Sequence, residues 1–136
     1  MDKRELIELA LAARDNSYCP YSGYSVGAAL LTAGGQVFTG CNVENAGYSP
    51  TLCAERSAMA AAVSAGVRDF LMLAVAGGPK GKEPETYFWP CGVCRQWLAE
   101  FCPPDFPVIT AKSAADYQET TLAELLPHAF SPDTLT

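Results

Sequence analysis

Apolar and polar positions recur along this chain with two different periods. From Lys3 to Arg14, Leu6, Ile7, Leu9, Ala10 and Ala13 fall on one helical face with charges opposite, and the pattern stops at Asn16 and Pro20. A first helix over residues 3 to 14 is expected. Val26 to Leu31 and Gln36 to Gly40, joined by Ala33-Gly34-Gly35, are rich in small and β-branched residues and read as a hairpin. The apolar stretch Leu52 to Val63 has Ser49 and Pro50 before it and Gly66 after it, so a second helix is expected to begin near Thr51 with Ser49 as its cap. Phe70 to Ala76 is a continuous apolar run of strand length, which suits a buried central strand. Gly77 to Pro84 then reads as a surface loop. Cys91 to Phe101, led by Pro90, is a third helix, and Pro107 to Ala111 is another short strand. Thr121-Leu122-Ala123-Glu124 has capping-box spacing and opens a short last helix that Pro127 ends. The alternation predicts an α/β fold: a single domain over residues 1 to 136, with a mixed sheet of about five strands and helices on both faces.

Composition narrows the function. With 49% apolar and 18% charged residues in 136, the chain has enough core to fold unaided. Its net charge of −6 works against a polyanion, so nucleic acid is not an expected partner. The opening Met1-Asp2-Lys3-Arg4-Glu5-Leu6-Ile7-Glu8 mixes acids with bases, unlike a secretory signal, so a cytoplasmic setting and reduced cysteines are expected. The uncharged run Asn16 to Val43 is long enough to span a bilayer but is broken by Gly, Pro and polar residues; no membrane partner is expected.

The candidate chemistry lies in three cysteines, Cys53 and the pair Cys91 and Cys94, at expected helix starts. A helix N-terminus favours thiolate, and positions i and i+3 share a face, so Cys91 and Cys94 can aim at one point. Thiolates select zinc, and three protein ligands leave a fourth position open, which marks a catalytic rather than a structural Zn2+. Glu55 sits two residues from Cys53, poorly placed as a ligand and well suited as a general acid/base. Three thiolates around one Zn2+ sum to −1; helix N-termini and hydrogen bonds from Arg56 to the sulfurs would offset that charge. Two other readings stand beside this one. Cys19, Cys41 or Cys102 would complete a structural zinc site, or Cys91 and Cys94 would form a redox pair. His128 is the only histidine and is expected to be a solvated or interface residue.

Cys-x-Glu followed by Pro-Cys-x-x-Cys is a signature of zinc-dependent nucleobase deaminases. Together with Cys19-Pro20-Tyr21-Ser22, Val26-Gly27-Ala28-Ala29-Leu30, Gly40-Cys41-Asn42-Val43-Glu44-Asn45, Cys53-Ala54-Glu55-Arg56 and Pro90-Cys91-Gly92-Val93-Cys94-Arg95-Gln96, it makes almost the whole chain resemble the cytidine deaminases, of the small homotetrameric three-cysteine type. The resemblance implies hydrolytic deamination of cytidine and 2'-deoxycytidine to the uridine products and ammonia, a pyrimidine-salvage reaction. It implies that Asn42 and Glu44 hold the ribose hydroxyls. Residue alternation agrees, since positions two apart in an extended segment face one side, and an amide beside a carboxylate suits a diol. It further implies that Tyr24 lines the nucleoside pocket, that the Ala54 backbone contacts the pyrimidine, and that Phe130 reaches a neighbouring subunit's site. The family more often has Phe at the position of Tyr24 and a small residue at Trp89, and its segment matching residues 77 to 90 is shorter. Two alternatives differ in class: a deaminase of a cytosine-containing antibiotic nucleoside, and a non-catalytic zinc-stabilised nucleoside-binding protein.

Overall fold

The core strands are apolar on both sides, so the sheet must be covered twice. A computed structural model describes residues 1 to 136. Strands β1 (Tyr24–Thr32), β2 (Val37–Cys41), β3 (Phe70–Pro79), β4 (Pro107–Ala111) and β5 (Tyr117–Thr121) lie in the order β2-β1-β3-β4-β5. Only β3 and β4 pair in parallel; the other neighbours are antiparallel. Helix α1 (Lys3–Ala13) buries Leu6, Ile7 and Ala10 against Ala29, Ala74 and Ile109 on one face. On the other face α2 (Ala54–Ser64) and α3 (Gly92–Phe101) bury Ala58, Met59 and Leu98 against Ala28, Leu30, Leu73, Val75 and Val108. The five-stranded mixed sheet with helices on both faces is as expected, and no helix is long and apolar enough to cross a membrane.

Direction matters more than strand count. β2 and β3 both run antiparallel to β1, hence parallel to each other, and α2 connects them; α3 connects β3 to its parallel neighbour β4. Both helices therefore begin at the same end of the sheet, beyond the carboxyl ends of β2 and β3, where α/β sheets place ligands.

Small residues let the layers meet closely. A Cβ on Gly27 would lie 2.0 Å from the Ala10 carbonyl oxygen, and one on Gly40 would lie 2.5 Å from both the Ala54 oxygen and the Ala58 nitrogen. The alanine-rich face of α2 is thus a close packing surface against β2. Backbone cannot move aside as a side-chain end can. Gly27→Ala is expected to destabilise the fold by about 2–3 kcal/mol, read as a fall of roughly 10 °C in the thermal midpoint. An unchanged midpoint would mean that α1 does not sit at this distance.

Four sequence expectations need correction. Helix α2 starts at Ala54 with Cys53 as cap, not near Thr51 with Ser49. Leu52 is tied back to Val43 by two backbone hydrogen bonds of 2.9 Å, which hold it extended, and Ser49 belongs to the preceding turn. Strand β3 runs on through Gly77, Gly78 and Pro79, which pair with Val26, Ser25 and Tyr24, so the surface loop starts later. These glycines serve close approach: a Cβ on Gly77 would lie 2.9 Å from Phe88 Cγ, and one on Gly78 would lie 2.9 Å from Pro84 Cα. Strand β5 was not evident in the sequence because it is a polar edge strand, Tyr-Gln-Glu-Thr-Thr, with little burial. Finally, the capping box at Thr121 is half formed. The Thr121 hydroxyl accepts from the Glu124 N–H, but the Glu124 carboxylate takes the Thr120 hydroxyl instead, and α4 (Leu122–Leu125) is one turn long.

Candidate functional site

Cys53 and Cys91 occupy equivalent positions. Each is an N-cap with extended backbone, and each carbonyl accepts the first helical bond, from Ser57 and Arg95, at 3.0 Å. Neither helix has a side-chain cap, so their first-turn N–H groups and dipoles face the sulfurs. Cys94 is one turn into α3 and fully buried. The three Sγ atoms all lie within 4.8 Å of one another, with Cys53 and Cys91 3.7 Å apart. Tetrahedral zinc with Zn–S bonds of about 2.3 Å requires sulfurs about 3.8 Å apart. The donor set and its spacing fit Zn2+. Cys19, Cys41 and Cys102 lie outside the cluster and all six cysteines are unpaired, so neither a fourth sulfur ligand nor a disulfide is present. Burial pushes the Cys102 thiol up to about 12, as suits a packing residue.

The sulfurs are already polarised. A hydrogen bond from Cys94, then contacts from Arg56 and Cys91, draw Cys53 down to about 5 against the effect of its burial. The same bond and its own burial push Cys94 upward, because Cys94 is the donor. Arg56 Nη2 lies 3.3 Å from Cys53 Sγ and 3.4 Å from the Thr51 carbonyl oxygen. The guanidinium thus stands where an extra thiolate charge needs compensation.

Glu55 is the anomaly in the fold. It occupies the second position of α2 at 1% exposure, and neither carboxylate oxygen has a partner at hydrogen-bond geometry. Burial raises its pKa to about 7, the Cys53 charge adds to this, and its own backbone N–H, the Cys94 thiol and Arg56 oppose it. Buried polar groups are nearly always satisfied, so a carboxyl left without a partner beside three clustered cysteine sulfurs marks a place where a ligand can be met.

A cleft of about 220 Å³ opens over this group, lined by Cys53, Ala54, Glu55 and Cys91 at its base. Asn42 and Glu44 both face it, as residue alternation requires, but both also carry structural bonds. Asn42 Nδ2 donates to the Tyr24 carbonyl at 2.8 Å and its Oδ1 accepts from the Val26 N–H at 3.0 Å, fixing the start of β1. Glu44 accepts from the N–H groups of Tyr21 and Ser22, each at 3.0 Å, and from the Ser22 hydroxyl. The hydroxyl first, then those amides, hold its pKa below the usual carboxylate range, so it stays charged. Both groups are pre-oriented and retain lone pairs or protons for a ligand.

Tyr24 lines the cleft, and its ring lies 5.7 Å from that of Phe88 at an interplanar angle of 32°. Phe130 does not enter it. It is 57% exposed on the surface of this chain, where its carbonyl accepts from Gln96 Nε2 at 2.7 Å. His128 also lies elsewhere, beside a cleft formed with the end of α3. Five cleft residues, Ser22, Val26, Thr51, Leu52 and Phe88, have no site role that the sequence alone reveals. Nothing in its motif signals that the Ser22 hydroxyl and amide hold Glu44, and Gly77 and Gly78 read as a turn rather than as a floor for the Phe88 ring.

Comparison with known proteins converges on one group. Residues 1–110 match the family described as the cytidine and deoxycytidylate deaminase zinc-binding region. A cytidine deaminase from Sporosarcina psychrophila is 49% identical over 135 residues, covering 99% of this chain and 96% of its own length. Another from Halalkalibacterium halodurans is 47% identical over 133 residues, covering 98% and 97% respectively. The crystal structure of cytidine deaminase from Burkholderia pseudomallei matches with a TM-score of 0.87 at 45% identity, covering 96% of this chain and all of that one.

Proposed function

This chain belongs to the cytidine and deoxycytidylate deaminase family, and from that premise we propose how its own residues carry out the reaction. The protein is a zinc-dependent enzyme that deaminates cytidine hydrolytically to uridine and ammonia. The observation that carries the mechanism is the buried, unpartnered carboxyl of Glu55 beside the Cys53, Cys91 and Cys94 sulfurs at the base of the cleft.

Cys53, Cys91 and Cys94 hold the ion. Zinc, when bound, supplies a Lewis acid that makes water nucleophilic near neutral pH. Glu55 moves the protons. Water adds across the C4=N3 bond of cytosine, so one proton must leave the water and one must arrive at N3; a second transfer to the exocyclic amino group lets ammonia depart as the C4 carbonyl forms. Burial raises the affinity of the Glu55 carboxyl for a proton, which suits a group that must both take one up and give it back. Arg56, through its contact with Cys53, would offset part of the charge of three thiolates when zinc is bound.

Asn42 and Glu44 bind the sugar hydroxyls, Tyr24 flanks the nucleoside, and the Ala54 backbone meets the pyrimidine. The same sugar contacts accept 2'-deoxycytidine. In the assembled enzyme, a homotetramer, the exposed Phe130 enters a neighbouring subunit's site; its exposure and that of Val93 and Trp97 on α3 support an apolar contact between copies. The reaction serves pyrimidine salvage in the cytoplasm.

The test is the ultraviolet absorbance change on mixing protein with cytidine, with adenosine as control, before and after chelation. Conversion to uridine that chelation abolishes and zinc restores is expected. Zinc-replete protein that leaves cytidine intact but deaminates a cytosine-containing antibiotic nucleoside would overturn the substrate assignment, and binding without turnover would overturn the enzyme.

A further inference from the structure

We propose that Thr110 is a positioning residue for the substrate cleft, acting through Phe88, and that Phe88 is a substrate-contact wall of that cleft; the inference rests on the nucleoside-deaminating reading of the site. Thr110 is fully buried in β4 between Ile109 and Ala111, in a strand otherwise apolar along its length. A buried hydroxyl has no packing advantage over a methyl and must be satisfied. Its Oγ1 donates to the Phe88 carbonyl at 2.9 Å. That bond runs from the sheet to the segment joining β3 to α3, three residues before the ligand Cys91.

The ring of Phe88 is seated by two further features. Gly77 of β3 leaves room for it: a Cβ there would lie 2.9, 3.0 and 3.2 Å from its Cγ, Cδ2 and Cβ. Tyr24 lies against it from β1. Tether, seat and aromatic neighbour come from three adjacent strands, β4, β3 and β1, and converge on one side chain of an otherwise irregular segment. Phe88 lines the cleft together with Tyr24, Ser22, Val26 and Cys91. Phe88 and Tyr24 together set the width available to a nucleoside, and Thr110 fixes where that wall stands.

Losing the hydroxyl frees the Phe88 carbonyl and lets the wall drift, which costs ligand affinity rather than chemistry. Thr110→Val is expected to raise KM for cytidine and the Kd for uridine, measured by calorimetry on the zinc-loaded enzyme, about three- to tenfold. Bound zinc should remain stoichiometric and kcat should stay within about twofold. Phe88→Ala should raise the uridine Kd at least as much, and adding Thr110→Val to it should change the Kd less than about twofold, since the two act as one unit. Thr110→Ser keeps the hydroxyl and should bind like the wild type.

A full valine-sized loss in Thr110→Ser would make Thr110 a packing residue and overturn the proposal. So would an unaltered Kd in Phe88→Ala, or independent effects in the double variant. If Thr110→Val fails to fold, the serine and Phe88→Ala variants still decide. A wild type that neither turns over cytidine nor binds uridine defeats the functional reading and this inference with it; an active wild type with unresponsive variants defeats this inference alone.

Discussion

Glu55→Gln is expected to keep its zinc and lose about 10²- to 10⁴-fold in kcat. The substitution preserves shape and polarity at a site with 1% exposure, so Cys53, two residues earlier, and the helix start it caps should be undisturbed. What disappears is the capacity to take up and release a proton. Deamination needs at least two such transfers, at the ring nitrogen and at the departing amino group, and the other carboxylate of the cleft, Glu44, is bonded to Tyr21 and Ser22 and held ionised. Stability should not suffer. The native carboxyl is buried without a partner, which makes it a cost to the fold, and a neutral amide in its place should leave the thermal midpoint equal or higher. Zinc content by a colorimetric chelator and kcat on the same sample give the result. Near-wild-type turnover in zinc-replete Glu55→Gln would remove Glu55 from the proton path.

The second large effect is Cys94→Ala, which should abolish both stoichiometric zinc and detectable deamination. Cys94 is the ligand buried deepest, the one sulfur of the three that is closed off from solvent. Its removal leaves two sulfurs, one of them exposed, and two thiolates do not hold zinc against water as three do. Because an ion that binds only the folded state stabilises it by mass action, the wild-type thermal midpoint should fall on chelation while that of Cys94→Ala does not respond. Cys102→Ala is the matched control: a buried core thiol outside the cluster, whose loss costs packing but not zinc. Stoichiometric zinc in Cys94→Ala would contradict the three-sulfur site.

The chemistry was the most legible part of this chain because its signals are local. Cys91 and Cys94 share a helix turn with Pro90 before them, and the Cys-x-Glu spacing survives any error in where α2 begins. β4 matched its expected bounds, Pro107–Ala111, because it is apolar on both faces. The failures needed information from elsewhere in the fold. Leu52 reads as a helical residue until it pairs with Val43, nine positions back. Gly77 and Gly78 read as a turn until Phe88 and Pro84 are seen against them. In each case the sequence pattern was sound, and a tertiary partner decided between two local conformations it permits.

Cys53 and Cys91 are 38 positions apart, and between them lie the whole of α2 and the central strand β3. Joined at one ion, they turn that stretch into a closed ring of chain. A permanent link closing a ring of this length would lower the unfolded chain's entropy by the equivalent of roughly 4 kcal/mol, an upper bound for a reversible clasp. The ring encloses the strand on which β1 and β4 both pair, so its opening releases the middle of the sheet rather than an edge. The metal that serves the reaction is thereby also a latch on the sheet, and what loosens its grip loosens the fold from the centre outward.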